Sequence, residues 1–278
     1  MAYPTVSAPY GLKPVNLIGG QVFSGSTRQL PIQYGYATNI FYGDFVNLTQ
    51  GFVNRQSVST GGGASGMVGI FLGCNYTDPV TKQKRFSQYW PASTLAGDAL
   101  AVVCDDPDTV FKAVVCSSGT TVASASIPMI GQNYQMINNT GNVNTGDSAN
   151  ALLYSATLTT STFPVRVVDI VRDTAYSYSA TGSSSSTTIT MTTGPNGNVL
   201  QGADVAYVAS NGQLIETGSF VTAAIASGAT SGTLNVAPAV PGSITAIPSA
   251  STIVFTNYPE VLVKLNFGIH EYYTATAV

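Results

Sequence analysis

The stretch from Tyr89 to Ala113 reads Tyr-Trp-Pro-Ala-Ser-Thr-Leu-Ala-Gly-Asp-Ala-Leu-Ala-Val-Val-Cys-Asp-Asp-Pro-Asp-Thr-Val-Phe-Lys-Ala, and the fold class turns on it. It holds the only tryptophan, Trp90, and the densest acidic cluster, Asp105, Asp106 and Asp108. Two short apolar runs, Ala99 to Cys104 and Val110 to Cys116, flank that cluster. Runs of this length bounded by Asp and Pro read as buried strands joined by a turn. Asp106-Pro107 supplies the turn, because proline fixes φ and an aspartate carboxylate bonds nearby backbone N–H groups. The stretch is predicted to be a hairpin at the centre of an all-β protein.

Composition supports that class. A chain of 278 residues suits one large β domain or two smaller ones and can bury a core. Only 8% of its residues are charged, against roughly 25% in ordinary soluble domains. Gly, Ser, Thr, Ala, Asn and Val fill the gap, which suits short strands, tight turns and a surface made polar by hydroxyls and amides. Two overlapping readings stand: an extracellular or virion β protein, and a chain whose surface is covered by neighbours. The formal net charge of −3 gives no basic field for nucleic acid or anionic lipid. No apolar run approaches the ~20 residues of a spanning helix, so no membrane partner is expected. Met1 to Pro9 lacks the basic and apolar regions of a signal peptide, so synthesis in a cytoplasm without export by that route is expected.

Along the chain, residues 1–16 carry Pro4, Pro9 and Pro14 and read as an extended N-terminal arm, not a strand in a sheet interior. Such an arm is either a loose terminus or a reach across a neighbour. Residues 17–173 read as the main β domain, a compact barrel or sandwich. Its predicted strands are Arg28 to Gln33, Phe45 to Leu48, Met67 to Cys74, the two central runs, Ala151 to Leu158 and Phe163 to Val171. Lysine and arginine then vanish from Thr174 to Pro259, and Asp204 and Glu216 are the only acids there. Residues 174–259 are therefore predicted to be a small inserted β domain; a single continuous sandwich is the alternative. Its strands are placed at Thr187 to Thr193, Asp204 to Ala209, Ser219 to Ile225, Gly232 to Val236 and Thr252 to Phe255, after a low-complexity run from Ser183 to Ser186. Residues 260–278 hold a final strand, Glu260 to Asn266, that rejoins the main domain, and a tail.

Residues able to carry chemistry are few. His270 is the only histidine and is expected at the surface or in the tail; without a Gly-x-Ser-x-Gly or a catalytic cysteine context, it points to no triad. Cys74, Cys104 and Cys116 sit among apolar residues and read as buried free thiols, not as a zinc or redox set. Asp105, Asp106 and Asp108 are the best candidates for a hard cation, yet they lack the spacing of a calcium loop. A turn whose carboxylates bond backbone amides is the favoured reading. Lys82, Lys84 and Arg85, with Phe86, Tyr89 and Trp90 close behind, could stack single-stranded nucleic acid. In an acidic protein they fit a solvated hairpin tip or an ion-pairing patch better. Gly61-Gly62-Gly63 lacks the Gly-Lys-[Ser/Thr] of a phosphate loop. No catalytic, cofactor or metal residue is assigned, and no enzyme activity is expected.

Several stretches resemble a family of tailed-bacteriophage structural proteins, commonest in phages of marine and cyanobacterial hosts. They are Ala8-Pro9-Tyr10-Gly11-Leu12-Lys13-Pro14-Val15, Thr27-Arg28-Gln29, Ile40-Phe41-Tyr42-Gly43-Asp44-Phe45-Val46 and Gly69-Ile70-Phe71-Leu72-Gly73-Cys74. Tyr89-Trp90-Pro91-Ala92, Asp105-Asp106-Pro107-Asp108-Thr109-Val110-Phe111 and Val261-Leu262-Val263-Lys264-Leu265-Asn266 complete the set. The resemblance implies a capsid decoration or cement protein on the outside of the head, often trimeric. Its implied partners are the major capsid protein and other copies of itself. The contact residues it suggests are Tyr3, Pro4, Pro9, Tyr10, Leu12, Pro14, Tyr89 and Trp90, with the insert projecting outward. No segment has the long apolar periodicity of the spine helix that the commonest shell proteins of tailed phages need. Two other classes stay open: a tail or fibre host-recognition module with a carbohydrate-binding insert, and a secreted polysaccharide-acting enzyme.

Overall fold

The two apolar runs around Asp105–Asp108 are strands, Leu100–Cys104 and Thr109–Ser118, but they do not pair with each other. Each belongs to a different sheet, so the predicted hairpin is instead a crossing between sheets. Both strands are almost wholly buried and each takes neighbours on both sides. Pairing them together would have used one edge of each that distant segments occupy.

The computed structural model describes residues 6–56, 66–154, 163–184, 187–235, 246–266 and 270. The strands up to the crossing are β1 (Lys13–Leu17), β2 (Arg28–Pro31), β3 (Phe45–Thr49), β4 (Phe52–Arg55), β5 (Met67–Thr77), β6 (Lys84–Ser87) and β7 (Leu100–Cys104). After it come β8 (Thr109–Ser118), β9 (Thr121–Val122), a 3-10 turn at Ile127–Met129, β10 (Asn133–Tyr134), β11 (Met136–Ile137), β12 (Ala151–Leu153) and β13 (Val165–Ile170). The rest are β14 (Tyr176–Ser184), β15 (Thr188–Thr193), β16 (Asp204–Val208), β17 (Leu214–Phe220), β18 (Ser231–Thr233), β19 (Ile247–Asn257) and β20 (Glu260–Leu265).

The order β2-β7-β5-β3-β4 makes the first sheet, and a bridge between Ile32 and Val53 brings its two edges together into a nearly closed barrel. Trp90 fills its interior with Ile40, Val68, Phe71 and Val103. Its indole meets the Tyr76 ring edge-on at 5.4 Å and donates through Nε1 to the Tyr36 carbonyl at 3.3 Å. β5 is buried on both sides: Val68, Phe71 and Cys74 face the barrel interior, while Met67 and Ile70 join the core under the second sheet. That double burial is why its sequence is a continuous apolar run rather than an alternating one.

The second sheet runs β10-β13-β20-β8-β12-β11, with β1 and β9 also on β8. β1 pairs with β8, antiparallel, and places Pro14 opposite Phe111, and its end also bridges from Asn16 to Val22. A proline is tolerated at Pro14 because, among the described residues, no second strand runs along the far side of β1. From Lys13 on, the proline-bearing stretch is thus an edge strand of the body, while Pro4 lies outside the described residues.

The chain leaves this sheet at the end of β13 and returns in β20, and the two pair with each other (Ile170 with Val261). Between them, β17-β16-β19-β14-β15-β18 form a third sheet whose strands pair only among themselves. Its own core includes Ile189, Met191, Val205, Ile253 and Phe255. In β15, Ile189 and Met191 point inward while Thr188 and Thr190 are exposed. Period-2 alternation with hydroxyls outside gives a wet face without charge. The strand expected at Ser219 to Ile225 lies earlier, at β17, because the Asn211-Gly212 turn pairs Leu214 with Val208 and sets the register from there. β14 was not anticipated, although Tyr-Ser-Tyr-Ser is itself an alternating pattern.

Candidate functional site

Gly43-Asp44 opens a buried polar network that joins three parts of the body. The Asp44 carboxylate is fully buried. Its Oδ2 accepts from the Phe41 N–H at 2.9 Å and from Arg55 Nε at 2.8 Å. Its Oδ1 accepts from Ser148 Oγ at 2.6 Å and Asn150 Nδ2 at 3.0 Å. Arg55 continues to Asn138 Oδ1 at 3.1 Å and the Asn139 carbonyl at 2.9 Å. Burial pushes the Asp44 carboxyl above its ordinary range, and Arg55 foremost, with Ser148 and the Phe41 N–H, pulls it back. Four donors occupy the carboxylate's acceptor positions, so it has no lone pair directed at a substrate. The network staples the Gly43-Asp44 turn, β4 and the Asn/Gly-rich loop of residues 138–150 together.

A second buried carboxylate ties the N-terminal segment to the last strand. Tyr10 donates its hydroxyl to Glu260 Oε1, and Lys112 Nζ lies 3.2 Å from the same oxygen. Lys13 Nζ sits 4.6 Å from the centre of the Tyr10 ring. Burial, then the bond to Glu260, drives the Tyr10 phenol far above its ordinary pKa, so it stays a donor. Of the suggested contact residues, Leu12, Pro9 and Trp90 are enclosed by this chain, so their side chains hold the fold and offer no open surface. Tyr10, Pro14 and Tyr89 are half-buried, and Tyr89 stacks on Phe41 with centroids 5.6 Å apart. Tyr3 and Pro4, like Gly61 to Gly63, lie outside the described residues.

The acidic turn disperses its carboxylates. Asp105 pairs with Arg28, Asp106 Oδ1 accepts the Asp108 N–H at 2.8 Å, and Asp108 meets Lys264 Nζ at 2.7 Å. Among the described residues no group of three or more His, Cys, Asp or Glu side chains is placed to hold a metal ion. His270 is 1% exposed and bridged to Met67, which corrects the expectation of a surface or tail residue. Its backbone bridges to Met67 at the start of the apolar strand β5; burial lowers its pKa, against a pull from Asp105. The three cysteines are buried and free. Burial pushes the Cys74 and Cys116 thiols up to about 12, so neither is a thiolate at neutral pH.

The basic stretch caps the β5–β6 hairpin, where Lys84 pairs with Asp98 at 3.0 Å and Arg85 with Asp78 at 3.6 Å. Beside it lies an open cleft of about 600 Å³, lined by Tyr42, Leu72, Phe86, Gln88, Val102 and Asp147 among others. Three of its polar groups are tied together: Asp147 takes Gln88 Nε2 at 3.0 Å and stands 3.7 Å from Lys13 Nζ. No family model, no curated protein and no solved structure matches the chain.

Arg55, Ser148 and Glu260 are the residues that reading the sequence missed. One signal was present: Arg55 is the only cation between Arg28 and Lys82, and Asp44 is the acid nearest to it in sequence. The Glu260 pairing joins residues 250 apart and leaves no local trace.

Proposed function

We propose that the protein is a virion structural component of a tailed phage, a capsid decoration or cement protein that binds the outside of the head. It would stabilise the shell by non-covalent contacts with the major capsid protein and with other copies of itself, as a homotrimer. The observation that carries the reading is where the charges go. Seven of the ten cations, Lys13, Arg28, Arg55, Lys84, Arg85, Lys112 and Lys264, form ion pairs inside the chain. The cations left are Lys82, Arg166 and Arg172, and covering a surface with so few of them carries little of the penalty of desolvating free ions. A protein that works by adhesion needs broad complementary area of this sort rather than a reactive centre. Among the described residues the four most exposed large apolar side chains, Val80, Phe86, Val22 and Tyr34, all lie on the body, where the family-like stretches also lie. That points to the body as the shell-facing part.

The test is the copy number in purified particles, by quantitative mass spectrometry against the major shell protein. A ratio near parity is expected. Absence from particles would overturn the reading. A handful of copies would instead support a tail-associated host-recognition module, which the separate six-stranded sheet also suits.

A further inference from the structure

The third sheet meets the body along one seam. The Ser124 N–H donates to the Gln201 carbonyl at 2.7 Å, the Ala125 N–H to the Tyr258 carbonyl at 2.7 Å, and the Tyr258 N–H to Ser124 Oγ at 2.7 Å. Phe220 of β17 packs edge-on against Tyr154 of the body, 6.3 Å between centroids. Gly202, at φ +91°, has no room for a side chain, since a Cβ there would run into the Ser124 carbonyl and the Tyr154 ring. In the middle of this seam stands Asp204, the first residue of β16, with its carboxylate buried.

Asp204 is held differently from every ion-paired carboxylate of the body. Its Oδ2 accepts the Ile127 N–H, at 3.2 Å, from the 3-10 turn of the body. Among the described residues no cation pairs with it. From β17, Glu216 faces it as a second negative charge; from the body, the Tyr154 phenol feels its charge, as does Tyr258, which Arg172 in turn approaches. Burial, reinforced by Glu216 and opposed by the Ile127 N–H, raises its pKa to about 7. An ionised carboxylate left in this setting lacks compensation and is more stable in contact with water.

We propose that the seam between the third sheet and the body is a proton-operated latch, closed on neutral Asp204 and loosened when Asp204 ionises. The covalent links at the seam, residues 171–175 on the way out and 258–259 on the way back, leave the sheet able to move as a unit. The proposal stands whether or not the protein belongs to a virion.

The sign follows from the two states of the seam. Open, Asp204 is solvated and titrates in the ordinary carboxylate range; closed, it holds its proton to about pH 7. Between roughly pH 4 and 7 the closed seam keeps a proton the open one has lost, so opening grows with pH, then levels off above 7. Native-state hydrogen exchange of the full chain reads this at the Ser124, Ala125 and Ile127 amides. After correction for intrinsic base catalysis, protection is expected to fall at least about tenfold from pH 5 to 7 and stay level to pH 8. In Asp204→Asn the profile is expected to be flat. A flat profile in the unaltered protein, or a pH step that Asp204→Asn retains, would overturn the latch. Carboxyl carbon NMR of the unaltered protein gives a second measure that needs no variant. A midpoint near 7 for Asp204 is expected, and one near 4 would overturn the proposal.

Discussion

The body and the inserted sheet bury polar groups by opposite means. In the body, charges are buried with partners: Asp44 takes four donors including Arg55, and Glu260 takes Tyr10 and Lys112. In the insert there is no lysine or arginine at all, and strands such as β15 keep water on their outer face with threonine hydroxyls. Asp204 is the exception, a buried acid with a single backbone donor at the seam. Compensated charges lock segments distant in sequence into one register; an uncompensated charge leaves its surroundings sensitive to protonation. A rigid body and a pH-responsive appendage follow from the same scarcity of charge, distributed differently.

The comparison can be broken most sharply at Asp44. Asp44→Ala strands Arg55, Ser148, Asn150 and the Phe41 N–H together, and a loss of about 3–5 kcal/mol in denaturant unfolding is expected. Gly202→Ala strikes the seam instead, forcing a Cβ into the Ser124 carbonyl at a left-handed φ. A cost of about 3 kcal/mol is expected, with hydrogen-exchange protection lost at Ser124 and Ala125 before the barrel strands. Asp204→Asn should act in the other direction from Asp44→Ala. Above pH 7 it removes an uncompensated ion and is expected to stabilise the chain by about 2 kcal/mol; near pH 2, well below the ordinary carboxylate range, Asp204 is neutral in both folded and unfolded chains and the gain should vanish. Equal effects at both pH values would remove the contrast between the two acids. Tyr10→Phe, smallest of the set, takes one donor from Glu260 while Lys112 remains, and should cost about 1–2 kcal/mol.

The parts legible in the sequence are those whose pattern is local. Thr188 to Thr193 announces a half-buried strand by alternation, and Met67 to Cys74 a doubly buried one by its unbroken apolar run. The disappearance of lysine and arginine after Asp173 marks where the chain departs into its third sheet. What stayed hidden depends on partners far along the chain. Nothing between Ala99 and Cys116 reveals that the first strand pairs with Arg28–Pro31 and the second with Glu260–Leu265, so a local turn was read as a hairpin. His270 is buried, and its backbone bridges to a strand two hundred residues before it. The Asp44 network is visible only as a Gly-Asp turn, because three of its four donors come from outside that turn, Arg55 on β4 and Ser148 and Asn150 about a hundred residues further along.

The account rests most heavily on the claim that the body binds the shell while the insert is an appendage. Tyr176 and Asn257 pair at the base of the third sheet, so a short linker in place of residues 176–257 can rejoin the body without distorting it. The measurement is the occupancy of this shortened chain on purified particles, relative to the full-length protein, once its unfolding midpoint shows the body intact. Unchanged occupancy is the expected result. A folded body that no longer binds particles would contradict the account and move the contact surface to the insert.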